Sequence, residues 1–393
     1  MTHQRNRFIE AELTRKLAYS PCVGVLGMRQ VGKSTLIRKL SANYETFDDQ
    51  SFLIKFEADP QSYLEAARYP LGLDEVQKSP KAFDAIKYAA DRLKKPGRYL
   101  LSGSVRFSAR KQIRESLTGR IALMELLPFT LAECHGKPLS SFVARLEKKR
   151  VSGLAADLKK KAWAQKKDLL TYLEMGGLPG ICFRREARIR SESYDMHIET
   201  LLARDITLIR HIRLGYGKLR LILEELNHRQ GLPLNMSDLA RKVSTSVPSI
   251  KSILEALDGL FLIKPHGSTY FIADNGLSSH LFGQSGKRER QDLLRLVFHE
   301  LNAQINYTAK LLVRLNPYQT RGGIDVPFFL EYKSGKRVAI FVEETDRPSQ
   351  KAMNSAAWLA KKFPDFEAVT LYQADEFRVT SKGMACIPLH WLY

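Results

Sequence analysis

Gly27-Met28-Arg29-Gln30-Val31-Gly32-Lys33-Ser34 is the stretch on which the reading of this chain turns. It fits the pattern of a glycine, four arbitrary residues, then glycine, lysine and a hydroxyl residue, without deviation. The apolar run at residues 22–26 predicts a strand before it, and the spacing of residues 33–40 predicts a helix after it. A strand–loop–helix of this kind cradles phosphate. Glycines let the loop turn back, so that backbone N–H groups and the helix N-terminus surround phosphate oxygens. Lys33 then reaches the β- and γ-phosphates, and Ser34 ligates Mg²⁺. Gly27, Gln30, Val31, Gly32, Lys33, Ser34 and Thr35 are the expected binding set for ATP with Mg²⁺.

Working outward, such a loop calls for an acid at the end of a neighbouring strand. Leu71-Gly72-Leu73-Asp74-Glu75 supplies it: Asp74 is expected on the metal and Glu75 on the attacking water, an adjacent pair that favours hydrolysis over binding alone. Tyr99-Leu100-Leu101-Ser102-Gly103-Ser104 is a further apolar strand ending in hydroxyls. Ser104, with Ser102 beside it, is expected to sense the γ-phosphate, a turn after a strand being the plainer reading. Arg120, in Thr118-Gly119-Arg120, is a candidate for contact with nucleotide or with a neighbouring copy's phosphate, and reads equally well as a surface residue.

Strands are expected at residues 22–26, 52–56, 71–73, 98–101 and 121–126, with helices at 33–40, 60–68 and 80–93 between them. That alternation is the signature of βα units around a parallel sheet. Residues 136–170 then carry ten Lys and Arg against three acids and read as helical. From residue 216, a helix at 219–229, a second over 234–243, a Ser/Thr turn, a third from 247 and two short apolar runs give the order of a winged helix-turn-helix. Ser237 and Ser246 are its expected N-caps. The tail mixes helices at 292–305 and 349–362 with a hairpin at 326–342 and a strand at 368–372, a small α/β domain.

At 393 residues the chain is long enough for about two or three domains. The expected division is an ATPase core at 1–135, a helical lid at 136–215, the winged helix at 216–272 and the C-terminal α/β module at 273–393. Hydrophobic residues at 44% and charged residues at 26% exclude disorder as a description of the whole. The 62 Lys and Arg exceed 42 Asp and Glu by 20, so a polyanion, DNA or RNA among the choices, is a first candidate partner. A protein partner stays open beside it. Four scattered cysteines, Cys22, Cys134, Cys182 and Cys386, exclude a disulfide framework or a zinc knuckle. No apolar stretch near the N-terminus approaches a membrane span, so no membrane association and a cytoplasmic location are expected.

Taken in order, GMRQVGKST, PLGLDEVQKSP, LLSGSVRF, LTGRIALMELLPFTLAE, EMGGLPG and ETLLARDI resemble the bacterial and archaeal AAA-type (AAA+) ATPases that carry a C-terminal domain of unknown function. The resemblance implies a P-loop core with a helical lid, a winged helix and a C-terminal fold related to restriction endonucleases. It also implies that Arg204, in the Arg204-Asp205 pair, acts as a sensor or arginine finger in cis or in trans, a structural ion pair being the alternative. A finger in trans would require a homo-oligomer. A nuclease of that fold needs an Asp followed by Glu-x-Lys. Here Asp325 is followed by Glu343-Glu344-Thr345, threonine standing where lysine is required, and Leu294 falls where a further acid belongs, with Glu300 nearby. The nuclease site is therefore expected to be degenerate. Along the third helix of the winged motif, Ser249, Lys251, Ser252, Glu255 and Asp258 face outward, a poor set for a major-groove reader. Three functions follow in order: an ATPase linked to nucleic acid, a nucleotide-controlled protein-interaction switch, and an ATP-dependent nuclease.

Overall fold

The computed structural model describes residues 5–106, 119–282, 290–309, 311–381 and 383–393. Thr118, of the Thr118–Arg120 reading, lies outside them. The described residues divide into two units woven from alternating segments: Met1–Phe129, Leu178–Leu221 and Met236–Ile263 form one, and Thr130–Gly177, Ile222–Asn235 and Lys264–Tyr393 the other. The basic stretch at 136–170 thus falls in the second unit, with the tail, while residues 178–221 fall in the first.

In the first unit, α1 (Ile9–Leu17) precedes β1 (Cys22–Leu26), every residue of which is buried. The P-loop then enters α2 (Lys33–Leu40), and β2 (Asn43–Thr46), α3 (Gln50–Ala58), α4 (Pro60–Ala66), β3 (Leu71–Asp74), α5 (Pro80–Leu93), β4 (Tyr99–Gly103) and β5 (Ile121–Glu125) follow. The strands form one parallel sheet in the order β2-β3-β4-β1-β5. Near-continuous apolar strands such as Cys22–Leu26 are what a sheet covered on both faces demands.

One expected strand is a helix. Residues 52–56 belong to α3, capped by the Asp49 carboxylate, which accepts from Ser51 N at 2.8 Å and Phe52 N at 3.4 Å. As a strand, Phe52, Ile54 and Phe56 would share a face; as a helix, only Phe52 and Phe56 do. Ile54 is 70% exposed, while the two phenylalanines are buried with Phe47 and stack edgewise against Tyr63. The second strand is instead β2, half-buried along its length at the sheet edge, where its polar sequence Asn-Tyr-Glu-Thr is tolerated.

Helices Met236–Lys242 and Val247–Gly259 occupy the expected second and third positions of the winged motif, and β6 (Ile263–His266) pairs with β7 (Thr269–Ile272) after them. Ser246 caps the third helix, its hydroxyl accepting from Ser249 N at 3.2 Å, and Pro248 sits in the first turn. Ser237 is not a cap: the second helix begins at Met236, which places Ser237 inside its first turn.

The second unit is built on a six-stranded sheet, β12-β13-β11-β10-β9-β8 in spatial order. Helix Arg290–Tyr307 leads into β8 (Val313–Gln319), β9 (Asp325–Tyr332) and β10 (Arg337–Val342), which form an antiparallel meander. Helix Gln350–Lys362 then crosses to β11 (Phe366–Tyr372), parallel to β10, before β12 (Arg378–Val379) and β13 (Ala385–Pro388). Strand β10 alternates between two cores: Val338, Ile340 and Val342 pack with the helix Arg290–Tyr307, and Ala339 and Phe341 with Ala352, Ala356 and Leu359. Strand β8 escapes sequence patterning because it is a polar edge strand containing Pro317, half-buried at best.

Glu300 lies on the buried side of helix Arg290–Tyr307, 2% exposed, its Oε1 accepting from Leu131 N at 3.2 Å. Burial pushes its carboxyl up to about 8, with the Leu131 N–H opposing and Glu133 adding to the rise. A carboxyl whose folded value is raised above the ordinary 4.5 contributes stability that is full below that value and is lost as pH climbs through about 8. Over that window one carboxyl can tilt stability by up to about 1.4 kcal/mol per pH unit. Glu300→Gln keeps an acceptor for Leu131 N but cannot ionise, so denaturant titrations at pH 5 and pH 8 should show a smaller loss of stability in the variant than in the parent.

Candidate functional site

The P-loop leaves the C-terminal end of β1 and turns back at two glycines whose place no other residue can take. A Cβ on Gly27 would stand 2.4 Å from Leu126 O, and Gly32 has φ +99°, in the left-handed region. Gln30 also has positive φ, 63°. The loop folds around its own lysine: Lys33 is 4% exposed, and its Nζ donates to Gly27 O and Met28 O, each at 3.0 Å. Burial lowers the Lys33 ammonium below its usual range, opposed by the nearby charges of Glu75, Asp74 and Asp205. Ser34 and Thr35 are exposed at the start of α2. Arg7 supports the loop from outside, its guanidinium donating to Val31 O at 2.8 Å and lying over the Phe129 ring at 4.4 Å.

Asp74 ends β3 and is 3% exposed. Its Oδ2 accepts from the Tyr44 hydroxyl at 2.8 Å, and its Oδ1 from Ser102 Oγ and from Glu75 N at 3.1 Å. Burial, followed by the hydrogen bond to Asp74, pushes the Tyr44 phenol up to about 12. Glu75 turns into the left-handed region, φ 52°, and its Oε2 accepts from Ser104 Oγ at 2.9 Å and from Gln77 Nε2. Strand β4 lies between β1 and β3, so its two serines reach one acid each. The expected γ-phosphate sensor, Ser104, thus bonds the expected water-activating residue.

On the far side of the loop, Arg29 Nε lies 3.5 Å from Asp205 Oδ2, and Arg204 Nε 3.1 Å from Asp205 Oδ1. Asp205 is buried, whereas the Arg204 side chain is 64% exposed. The pair stands at the end of a π-helical turn, Thr200–Arg204, that follows helix Ala187–Glu199. On that helix His197 is 2% exposed, and neither ring nitrogen is hydrogen-bonded among the described residues. Burial, then the charges of Arg29 and Lys33, lowers its imidazole to about 4, so it is neutral near pH 7.

Gly27, Lys33, Asp74, Glu75, Ser102 and Ser104 therefore gather at the C-terminal ends of adjacent strands. Arg120 does not join them. It precedes β5, whose first residue pairs with the first residue of β1, at the opposite ends of the strands, and it is ion-paired with Asp91. The expectation of a within-chain nucleotide contact for Arg120 is corrected by that register. Tyr44, Gln77, Arg29 and His197 were not legible as site residues: Gln77 two positions past Glu75 was the one available signal. Asp325 bonds Lys351 Nζ at 3.0 Å and Gln319 Nε2 at 3.2 Å, and Glu343 Oε1 accepts from Ser349 N at 3.1 Å and Ser349 Oγ at 2.6 Å. Among the described residues no cluster of three or more His, Cys, Asp or Glu is arranged to hold a metal ion.

The first part of the chain is similar to AAA-type P-loop ATPase domains. Residues 19–135 match the family model described as an AAA domain, and residues 166–288 match a domain of unknown function, DUF8612. Uncharacterised proteins of Mycobacterium bovis and Mycobacterium tuberculosis are each 25% identical over 402 residues, spanning 94% of this chain and 84% of theirs. Among solved structures, a Walker-type ATPase of Pyrococcus abyssi aligns with 16% identity over 70% of this chain and 94% of its own, TM-score 0.41. A STAND (signal transduction ATPase with numerous domains) protein with a tetratricopeptide repeat sensor from Pyrococcus horikoshii aligns with 15% identity over 76% and 47%, TM-score 0.24. No helix among the described residues is long and apolar enough to cross a membrane.

A methyl group at Gly27 would have to displace backbone, whereas Gly180 has open space around its Cβ position. Gly27→Ala should cost about 1–3 kcal/mol in chemical denaturation and abolish nucleotide binding, with Gly180→Ala close to the parent in both.

Proposed function

We propose that this chain binds ATP with Mg²⁺ and hydrolyses it, and that hydrolysis drives a rearrangement within the first unit. The observation that carries this reading is the joined pair of hydrogen bonds by which Ser102 engages Asp74 and Ser104 engages Glu75, at the strand ends beside Lys33. Lys33 exchanges the carbonyls of Gly27 and Met28 for β- and γ-phosphate oxygens. The exposed Ser34 hydroxyl and the Asp74 carboxylate suit an octahedral, oxygen-liganded Mg²⁺, which when bound neutralises phosphate charge. Glu75 accepts the proton of the attacking water as its oxygen bonds the γ-phosphorus; the bond to the bridging oxygen breaks and ADP leaves with that electron pair. Arg204, largely exposed, contacts phosphate in cis or from a neighbouring copy; Arg120 does so only from a neighbouring copy.

Transmission runs through Arg106, two residues beyond Ser104. Its backbone N donates to Gly259 O at 2.8 Å, and its guanidinium bonds Asp258 O at 3.1 Å, pairs with the Asp258 and Glu125 carboxylates, and lies over the Phe261 ring at 4.3 Å. A sensor serine that changes partner on γ-phosphate loss pulls directly on the end of helix Val247–Gly259. That helix has its outward acids occupied within the chain, Asp258 by Arg106 and Glu255 by Arg210, which supports a switch over a major-groove reader. A nucleic-acid link is the second reading, favoured by the basic stretch at 136–170, whose Lys159, Lys160 and Lys161 are exposed. In the C-terminal module the Glu343 carboxylate is engaged by Ser349, the N-cap of helix Gln350–Lys362, which supports a silent nuclease site.

Lys33→Ala should lose nucleotide binding, while Glu75→Gln should bind ATP with turnover reduced by about 10²–10⁴; undiminished turnover in Glu75→Gln removes Glu75 from this role. Arg106→Ala should hydrolyse ATP within a few fold of the parent yet lose the nucleotide-dependent change in amide exchange across residues 247–263. ATPase rates with and without DNA or RNA at two salt concentrations decide the nucleic-acid link: stimulation that falls steeply with salt supports it, and no effect at low salt removes it. Plasmid cleavage with Mg²⁺ or Mn²⁺ that Asp325→Ala abolishes would overturn the silent-nuclease reading.

A further inference from the structure

A cavity of about 350 Å³ opens in the first unit between α4 and α5, at the strand ends opposite the P-loop. Tyr99, the first residue of β4, lies in its floor and pairs with Cys22 and Leu71, the first residues of β1 and β3. The ligand ends of parallel sheets are ordinarily the C-terminal ones, so this pocket is separate from the nucleotide site by the full length of the strands.

Two polar groups in its wall have hydrogen-bonding atoms without partners among the described residues. Arg98 is held in place by its backbone, N donating to Pro21 O at 3.2 Å and O accepting from Leu71 N at 2.8 Å. Its guanidinium makes no ion pair and no hydrogen bond among the described residues; it lies over the Tyr69 ring at 3.6 Å from the centroid, and its Nε is buried without a partner. Beside it Tyr99 is 0% exposed, and its hydroxyl also lacks a hydrogen-bond partner. The neighbouring Tyr69 hydroxyl donates to Leu64 O, and the Tyr69 ring meets Tyr99 edge-on, centroids 5.6 Å apart. The second cation of the pocket, Arg92, is already neutralised by Glu65 at 3.3 Å. The enclosed Nε of the half-buried Arg98 and the buried Tyr99 hydroxyl are donors left without partners, and a buried donor left so costs on the order of 1–3 kcal/mol.

The walls identify the rest of the ligand. Tyr69 and Tyr88 are aromatic, Leu64 and Leu93 aliphatic, and Tyr88 and Leu93 reach into solvent, 51% and 39% exposed. We propose that this cavity binds a small aromatic monocarboxylate, its carboxylate on the Arg98 guanidinium and its planar body against the tyrosine wall. One unneutralised guanidinium matches one negative charge, and its terminal nitrogens form the planar fork that accepts a carboxylate side by side. The cavity is of the size of small-ligand sites, whose linings are mostly apolar with a few convergent polar groups.

Benzoate titrated into the full-length chain by calorimetry or ligand-observed NMR is the probe, with ADP and Mg²⁺ saturating the P-loop so that anion binding there does not contribute. Benzoate should bind under those conditions, and benzamide, its neutral isostere, about tenfold or more weakly. Arg98→Gln should weaken benzoate about tenfold or more, Arg98→Lys less, since charge stays and the fork is lost. Tyr99→Phe should weaken it several-fold while leaving the ligand-free melting temperature unchanged or higher, because the deleted hydroxyl has no partner to lose. Failure of benzoate to bind, equal binding of benzamide, or undiminished binding in both Arg98 variants overturns the site. Tighter binding of phenyl phosphate than of benzoate overturns the choice of carboxylate.

Discussion

The first unit is organised around a buried ammonium. Lys33 sits inside its own loop, and a charge removed from water is tolerable only with acceptors and compensating charge close by. The acceptors are the carbonyls of Gly27 and Met28, which point inward only because Gly27 lies too close to Leu126 O for any side chain. The compensating charge comes from the adjacent Glu75 and Asp74 at the end of β3 and from Asp205, far along the chain. One cation thereby ties the end of β3, the P-loop and the turn after helix Ala187–Glu199 together. The same arrangement leaves Lys33 with only neutral carbonyls as direct partners, a weaker bond than a charge-assisted one to phosphate, so the loop is held in a form that a nucleotide can outcompete.

The acidic side of the site follows from strand order. With β4 between β1 and β3, hydroxyls at its end must face both the loop and the acids. Ser102 and Ser104 meet that requirement by pairing with Asp74 and Glu75 in turn, and Gln77 closes the Glu75 end. The Glu75 carboxylate is thereby held in one orientation by two neutral donors. His197 has the opposite character: buried, without hydrogen bonds among the described residues, and kept neutral by its surroundings, it adds no charge against the phosphates while facing Arg29 and Lys33.

What the sequence disclosed depended on how local the determining physics was. The phosphate loop, the Asp74-Glu75 pair and the two serines lie at strand ends, and strand ends are announced by apolar runs that stop. The helix Gln50–Ala58 was misread because Phe52, Ile54 and Phe56 satisfy both a strand and a helix pattern over five residues; the Asp49 cap and the fate of Ile54 decide it, and only packing reveals the latter. Strands β2 and β8 sit at sheet edges, where half of each residue faces water and apolar patterning is not required. Tyr44 and Arg106 were invisible for a different reason. Their partners, Asp74 and Asp258, lie 30 and 152 residues away, and no local pattern encodes a contact at that separation. Arg120 failed as a nucleotide contact because register, not proximity in sequence to a strand, fixes which end of the sheet a residue occupies.

The same distinction bears on Arg29, which stands at a position the phosphate-loop pattern leaves arbitrary. The loop's invariant positions answer to phosphate and would look alike in any protein that binds one; an arbitrary position answers to what else the loop must touch in this chain. Here it touches Asp205, a buried carboxylate shared with Arg204 and set directly after a π-helical turn, a geometry that is uncommon and concentrated at functional sites. Phosphate arriving at the loop brings negative charge toward Arg29, and Asp205 must then share that cation or keep Arg204 alone. A two-arginine, one-carboxylate arrangement can settle in either state at small energetic difference, because the buried acid retains a cation in both. Asp205 thus links Arg29 of the loop to Arg204 at the end of the π-helical turn through charge and not through the motif itself.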